Sequence, residues 1–181
     1  MTARIPLPQT QSAPQASQAA LGQIQGAFGV VPNMFRAVSN SPAALQSMWA
    51  AFGALGGGVI PAKLGEQIAV AVADRNRCEY CLAAHTALGR KAGASAAEMT
   101  AAQSGQSDDP RTAAALAFAL QLVEARGQVS DADVARLSKV GFSDGEIVEI
   151  VAHVALNLFT NYINVAFNVP VDFPTVKLNA R

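Results

Sequence analysis

Alanine dominates this sequence and constrains its fold more than any other feature. It occupies about a fifth of the 181 positions, and it has the highest helix propensity of all residues. The β-branched residues are dispersed, and the chain has neither a clear alternation of polar and apolar residues nor an Asn-Gly hairpin turn. This pattern predicts an all-α fold.

Helix starts are clearly marked along the chain. Ser41-Pro42 and Asp109-Pro110 place a capping side chain before a proline in the first helical position. Ser95-Ala-Ala-Glu98 and Ser143-Asp-Gly-Glu146 have the spacing of a capping box. Together with glycines at the expected stops, these signals predict helices over residues 16–27, 31–38, 42–54, 62–74, 77–92, 95–103, 110–126, 131–138 and 144–167.

The chain length and the local composition indicate one domain with two tails. Residues 1–15 are rich in Gln, Ser, Pro and Ala, and we expect a flexible N-terminal tail there. Residues 16–175 then form a single all-α domain, and residues 176–181 form a C-terminal tail. Residues 169–181 carry two prolines, so we expect an extended segment that packs on a neighbouring subunit.

The charge content favours an oligomer and argues against a nucleic-acid partner. The formal net charge is zero and there is no basic run, so the phosphate neutralisation that nucleic-acid binding needs is missing. Charged residues make up 14% of the chain, against about 25% in an average soluble domain. We therefore expect part of the surface to be covered by homo-oligomerisation.

Hydropathy and the N-terminal pattern predict a cytoplasmic protein without a membrane partner. No uninterrupted apolar run reaches the ~18 residues of a membrane span. The first residues lack the charged and then apolar layout of a signal peptide. In a reducing compartment two cysteines are rarely a structural disulfide, so their spacing becomes informative.

The residues with the clearest chemical potential are Cys78, Cys81 and His85, spaced i, i+3 and i+7. On a helix this spacing places all three side chains on one face. Two thiols three positions apart at a helix start can also close a disulfide with little backbone movement. This pattern indicates redox chemistry.

Local electrostatics favour Cys78 as the more acidic thiol. If Asn76 caps the helix, Cys78 lies in the first turn, where the helix dipole stabilises a thiolate. Arg75 and Arg77 add positive charge nearby. A lowered pKa is what makes a cysteine an effective nucleophile.

Glu66 is the odd residue of the preceding helix, which is otherwise apolar on almost every side. Such a helix is buried, so the carboxylate must be paired, hydrogen-bonded or protonated. Placed against His85, it would form a proton relay. The alternative is a solvated ion pair with Lys63, about one turn earlier.

Other interpretations of these residues stay open at this point. Cys78, Cys81 and His85 could bind zinc with Glu66 or His153 as a fourth ligand, although three ligands on one helix face suit a tetrahedral site poorly. The cysteines could be inert buried residues on an alanine-rich helix. His85 could be a core histidine without a chemical role.

The last long helix carries a polar stripe of one histidine and four asparagines. His153, Asn157, Asn161, Asn164 and Asn168 follow one another at intervals of four, four, three and four. A buried hydrogen-bonded seam, in the core or at a subunit interface, is the first interpretation of this stripe. The second is the lining of a substrate pocket.

The arrangement of Glu66, Cys78-Glu-Tyr-Cys81 and His85 resembles the carboxymuconolactone decarboxylase superfamily, in particular its alkyl hydroperoxidase D-like, peroxidase-related branch. The resemblance is specific over about residues 60–92 and looser over most of 25–175. It implies a compact helical bundle that assembles as trimers or hexamers, with dimers in some members.

The resemblance also implies an antioxidant enzyme that reduces hydroperoxides through a disulfide cycle. Cys81 would attack the peroxide, Cys78 would resolve the product to a disulfide, and Glu66 with His85 would form the proton relay. A dithiol reductant would regenerate the thiols, with no metal or organic cofactor. The family thus assigns the nucleophile to Cys81, whereas the local electrostatics favour Cys78.

One departure from the branch concerns Tyr80, which stands where characterised hydroperoxidases have a histidine. Tyrosine, with a reference pKa of about 10, is a poor proton donor at neutral pH. Two alternatives to the peroxidase therefore remain. One is a decarboxylase or hydrolase of a small lactone acid, and the other is a non-catalytic redox-sensing oligomeric module.

Overall fold

A computed structural model describes residues 2–180, and it contains only helices, turns and irregular segments over that range. A short 3-10 turn, Thr10–Ser12, precedes nine α-helices in the described chain. The all-α prediction is confirmed, and each predicted helix is found within two residues of its expected bounds. The helices are α1 (Gln15–Phe28), α2 (Asn33–Val38), α3 (Pro42–Gly56), α4 (Ala62–Arg75), α5 (Glu79–Lys91), α6 (Ala96–Gln103), α7 (Pro110–Glu124), α8 (Asp131–Lys139) and α9 (Asp144–Phe167).

The predicted caps explain why the helices begin where they do. Ser41 and Asp109 each accept a hydrogen bond from a backbone N–H three residues later. Capping boxes form at Ser95 and Ser143 as expected, and a third forms at Ser130 with an aspartate as its partner. Each cap satisfies backbone donors that the first helical turn leaves free.

Helix α4 forms the centre of the fold, because residues 67–73 are all buried and α5, α6, α7 and α9 surround them. Helix α5 approaches α4 closely at Gly89. A Cβ there would lie 2.5 Å from Met99 Cε and 3.3 Å from Glu66 Cβ. The missing side chain therefore lets the cysteine-bearing helix pack beside Glu66.

Helix α9 is 24 residues long, and by length and composition alone it is apolar enough to cross a membrane. It contacts α2, α3, α4, α5, α7 and α8. Asn157, Asn161 and Asn164 lie on its buried side. Buried polar side chains on the face toward α4 and α5 are the arrangement expected of a core helix that supports a site.

The N-terminal segment differs from the flexible tail predicted for residues 1–15, of which Met1 lies outside the described residues. The backbone N–H of Arg4 donates to the Phe167 carbonyl (2.8 Å), and its side chain donates to Ala166. Ala13 is buried. Proline-rich sequence suggested a detached tail, but these contacts fasten the segment to the end of α9.

The C-terminal segment is extended, as predicted, yet it packs on its own chain. Phe173 and other apolar residues after position 168 lie against the core. Arg77 donates to the Asn179 carbonyl (2.7 Å), and the Asn179 backbone N–H donates to Asp74 (2.9 Å). Residues 169–180 therefore pack on their own chain, and packing of this segment on a neighbouring subunit stays a prediction.

Candidate active site

The start of α5 positions both cysteines. Cys78 is itself the N-cap, with its Sγ accepting a hydrogen bond from the Cys81 backbone N–H at 3.2 Å. Arg77, just before it, has a positive φ of 59° that turns the chain from α4 into α5. Asn76 ends α4 and donates to Asn161 (2.9 Å), so the prediction that Asn76 caps the cysteine helix is wrong.

Glu66 and His85 are brought together across the α4–α5 interface. Glu66 Oε2 lies 2.7 Å from His85 Nδ1, and the two side chains are only 23% and 12% exposed. Lys63, the alternative partner of Glu66, pairs with Glu98 instead. The short contact fixes the imidazole and leaves its Nε2 as the nitrogen free to exchange a proton.

Asn164 provides a contact to the sulfur that the sequence did not reveal. Its Nδ2 donates to Cys81 Sγ at 3.2 Å, and both residues are buried. A donor at this distance stabilises the thiolate more than the thiol. The stripe on α9 was a signal that this helix faces something polar, but its target could not be read from spacing.

The pKa values of the two thiols are shifted in opposite directions. Burial alone would raise the pKa of Cys81, but the Cys78 hydrogen bond, the charge of His85 and the Asn164 amide lower it to about 7. The pKa of Cys78 is raised, mainly because its thiol donates to Cys81 and because it is buried. Local electrostatics had favoured Cys78, and this is corrected: Cys81 is the sulfur that ionises near neutral pH.

The surroundings of His85, the histidine beside Cys81, favour its protonated form. Burial opposes its charged form, but the charge and the hydrogen bond of Glu66 raise the pKa of His85 above its ordinary value. Cys81 and His85 lie one helical turn apart and line the same cavity. The Cys81 thiol, whose pKa is lowered, and the His85 imidazole, whose pKa is raised, therefore face one small space.

That space, termed here the proximal cavity, has a volume of about 40 Å³ and is almost entirely apolar. Cys81 and His85 are its reactive side chains. Five aromatic residues enclose them: Phe28, Phe35, Phe52, Tyr80 and Phe173. Cys78 lies on the other side, in a more polar cavity of about 220 Å³ that also includes Arg77 and Asn168.

Tyr80 has a structural position in this wall. Its hydroxyl oxygen accepts a hydrogen bond from the Met34 backbone N–H (3.2 Å), and its ring packs edge-on against Phe173. Burial, together with a hydrogen bond to Asp172, raises the pKa of Tyr80. Tyr80 thus joins α2 and the C-terminal segment to the site.

The polar stripe of α9 forms a buried hydrogen-bonded seam in one part and lines a cavity in another. Asn161 and Asn164 form a buried seam with Asn76 and Cys81. His153 and Asn157 instead line a second, larger cavity. Asn168 ends the helix in the left-handed conformation and donates to the Thr2 carbonyl.

The zinc alternative lacks a suitable cluster in the part of the chain that the structure describes. No group of three or more His, Cys, Asp or Glu side chains there is arranged to hold a metal ion. Glu66 engages His85, while Cys78 and Cys81 contact each other through the α5 cap. The local geometry favours thiol chemistry.

Comparison with known families agrees with this geometry. The sequence model of the carboxymuconolactone decarboxylase family matches residues 42–125, the segment that holds Glu66, both cysteines and His85. Over these residues the chain is similar to the carboxymuconolactone decarboxylase family. Its solved neighbours include an AhpD core and other peroxidase-related proteins.

Three solved structures share the fold over nearly the whole chain. An AhpD-core, peroxidase-related protein of Ralstonia eutropha JMP134 is 26% identical with a TM-score of 0.83, covering 94% of this chain and 92% of its own. A peroxidase-related protein of Silicibacter sp. TM1040 is 26% identical (TM-score 0.80; 93% and 91%). The debrominase Bmp8, solved as a cysteine-to-alanine variant in complex with 2,3,4-tribromopyrrole, is 20% identical (TM-score 0.79; 95% and 92%).

These comparisons limit what is established about activity. No curated protein matches the chain in sequence. The fold family includes enzymes, with peroxidase-related proteins and a debrominase among the neighbours.

Proposed function

We propose that this protein is a thiol-dependent hydroperoxide reductase. The observation that carries the proposal is the Cys81 thiol, with a pKa of about 7, facing an apolar cavity beside the Glu66–His85 pair. A thiolate is the nucleophile that peroxides require. An apolar cavity of this kind favours an organic peroxide.

The proposed reaction begins at Cys81. Its thiolate attacks the terminal peroxide oxygen, forming an S–O bond and breaking the O–O bond. The departing alkoxide takes a proton from His85 and leaves as an alcohol, and Glu66 stabilises the imidazolium before that transfer. Cys81 is then a sulfenic acid.

Resolution and regeneration complete the cycle. The Cys78 thiol attacks the Cys81 sulfenic acid, an S–S bond forms and water leaves. A dithiol reductant then converts this disulfide back to two thiols and becomes a disulfide itself. We propose that the reductant enters from the Cys78 side, because that sulfur borders the larger and more polar of the two spaces at the cysteines.

A thiol count tests this function directly. Free thiols are counted before and after adding cumene hydroperoxide to wild type, Cys78→Ser and Cys81→Ser. Wild type should lose two thiols, and a sulfenic acid should be trapped on Cys81 in the Cys78→Ser protein. Persistence of both thiols in excess peroxide would remove the peroxidase proposal and also the redox-sensing alternative.

Two further alternatives are separated by the same chemistry. A non-catalytic sensor would form the disulfide once but would not turn over with dithiothreitol as the reductant. A decarboxylase or hydrolase of a lactone acid would keep its activity without the cysteines. It is less well supported, because none of the described Lys and Arg residues lines the proximal cavity or the larger cavity beside it. A carboxylate substrate is usually held by a cation.

A second candidate function is reductive dehalogenation of an aromatic compound. The aromatic rings around Cys81 favour it, since they surround the reactive edge of a flat apolar substrate, whose ring would extend into the larger cavity beside them. Here Cys81 would take the halogen as a sulfenyl halide, His85 would protonate the carbon, and Cys78 would displace halide to form the disulfide. Release of bromide from 2,3,4-tribromopyrrole, with loss of two thiols, would support this reaction over peroxide reduction.

We also propose that the protein is a cytoplasmic homo-oligomer, a trimer or a hexamer. One face of α9 exposes Val148, Val151, Tyr162 and Val165, with exposed fractions of 42–67%. A contiguous apolar face of this kind is typical of a subunit interface. Tyr162→Asp should lower the mass measured by light scattering toward one chain, whereas Val134→Asp on α8 should not; a monomeric wild type would overturn the proposal.

A further inference from the structure

The second cavity beside the candidate active site has no role in the reaction proposed above. It has a volume of about 360 Å³ and lies among α1, α3, α4, α5 and α9. It shares four lining residues with the proximal cavity: Phe28, Phe52, His85 and Leu88. We call it the distal cavity, and His85 stands in the wall between the two.

The two cavities differ in size, so they can hold different parts of a substrate. The proximal cavity, at about 40 Å³, holds only a few groups the size of water. A peroxide group fits there, but the body of an organic molecule does not. The distal cavity is several times larger and mostly apolar, so it offers the volume that an organic group needs.

Two side chains that line the distal cavity each carry a buried polar atom without a hydrogen-bond partner in the described chain. Asn157 is 5% exposed and its Nδ2 donates to the His153 carbonyl, which leaves Oδ1 buried and unpaired. His153 Nε2, one turn away on the same helix, is likewise buried and unpaired. Buried polar atoms are almost always hydrogen-bonded, so two in one cavity indicate a ligand that bonds to them.

The charges around the cavity define the ligand further. Its titratable side chains are Glu66, His85 and His153, and Glu66 is already engaged by His85. Burial lowers the pKa of His153, partly offset by Glu149 and Glu66, so its imidazole is neutral near pH 7. Among residues 2–180, no lysine or arginine lines this space to balance an anion.

We propose that the distal cavity binds the organic part of the substrate, an uncharged aryl or branched alkyl group carrying a hydroxyl. That hydroxyl donates to Asn157 Oδ1 and bonds to His153 Nε2, while the reactive group extends past His85 to Cys81. The proposal deepens the hydroperoxide reductase function and rests on it for the chemistry, but binding in the cavity needs no thiol.

The test measures binding of two matched probes, 4-isopropylphenol and cumene, which differ by one hydroxyl. Trp49 is the chain's single tryptophan and lines the distal cavity, so its fluorescence reports occupancy. Wild type should bind 4-isopropylphenol roughly three- to tenfold more tightly than cumene, the value of one neutral hydrogen bond. Asn157→Leu should remove that preference while keeping cumene binding.

Two glycine variants locate the bound probe. Gly53 lines the distal cavity from α3, and a Cβ there meets open space. Gly53→Leu should fill the cavity and weaken both probes by about tenfold or more. Gly22→Leu, in α1 and also facing open space, lies outside the cavity and should weaken neither.

The outcomes separate this inference from the proposed function. Equal binding of both probes, or tight binding that Gly53→Leu does not affect, would overturn the distal site even if peroxide is consumed. Binding as expected without peroxide consumption would keep the site and remove the reductase. Should Asn157→Leu fail to fold, the probe pair on wild type and Gly53→Leu still decides.

Discussion

The contact between Asn164 and Cys81 gives the most quantitative prediction. In Asn164→Leu the side chain keeps its approximate volume but loses the donor that lies 3.2 Å from Cys81 Sγ. A hydrogen bond to a charged group contributes about 1.5–3 kcal/mol, and one pKa unit corresponds to about 1.4 kcal/mol. The pKa of Cys81 should therefore rise from about 7 by roughly one to two units.

This shift has a direct kinetic consequence. At pH 7 the thiolate fraction of Cys81 should fall from about a half to between about a tenth and a hundredth. The rate of peroxide reduction should also fall, but by less than the thiolate fraction, because a more basic thiolate is intrinsically more nucleophilic. Near pH 9 it should recover to the wild-type value or above, because a more basic thiolate is intrinsically at least as nucleophilic.

The assay is the rate of Cys81 alkylation by iodoacetamide against pH, alongside the rate of peroxide reduction. Asn157→Leu, which changes an amide on the same helix away from the sulfur, is the control and should keep a thiol pKa near 7. A damaged fold would lower the rate at every pH. Superimposable pH profiles for wild type and Asn164→Leu would refute the assignment of Asn164.

Three other changes probe the remaining groups. Glu66→Gln should slow peroxide reduction by roughly 10²-fold, the low end for loss of acid–base assistance. Glu66 raises the pKa of His85, so the Glu66–His85 pair stabilises the folded protein when His85 is protonated. This stabilisation is complete below pH ~6.5 and is lost as the pH rises through the folded-state pKa of His85. The difference in unfolding free energy between wild type and Glu66→Gln should therefore shrink with rising pH. Tyr80→Phe should lower the free energy of unfolding by about 1–3 kcal/mol, since the buried Met34 N–H loses its acceptor, and the pH profile of the reaction should keep its shape; a shifted profile would return Tyr80 to the proton relay. When the oxidised protein is treated briefly with 2-mercaptoethanol and quenched, mass spectrometry should find the adduct on Cys78; an adduct mainly on Cys81 would contradict entry from that side.

Local sequence signals were sufficient to predict most of the fold. Alanine content predicted helices, and side chains such as Ser41 and Ser143 fixed their starts, because a cap needs only residues three positions apart. The pairing of Glu66 with His85 was also accessible, since a carboxylate on a buried helix must find a partner. Both inferences depend on short-range or compositional facts.

Most long-range contacts could not be predicted from the sequence. The donor to Cys81 comes from Asn164, 83 residues later, and spacing alone does not reveal the target of a stripe. The terminal segments look flexible in sequence, yet Arg4 and Asn179 fasten them to the domain through hydrogen bonds to residues far away in the chain. The acidity of Cys78 was misjudged because its position as the cap itself depended on where the α4–α5 turn falls.

In the proposed cycle, the difference in acidity between the two cysteines determines which sulfur reacts at each step. The sulfur with the lower pKa is the better nucleophile toward peroxide at neutral pH, and it is also the better leaving group when a disulfide is reduced. Asn164 and His85 stabilise the thiolate of Cys81 in both steps. An incoming reductant therefore attacks Cys78, which borders the polar cavity of about 220 Å³, and releases Cys81 toward the apolar one. Because substrate and reductant approach from different sides, the cavity that selects the substrate need not admit the reductant, and its apolar lining is free to be specific.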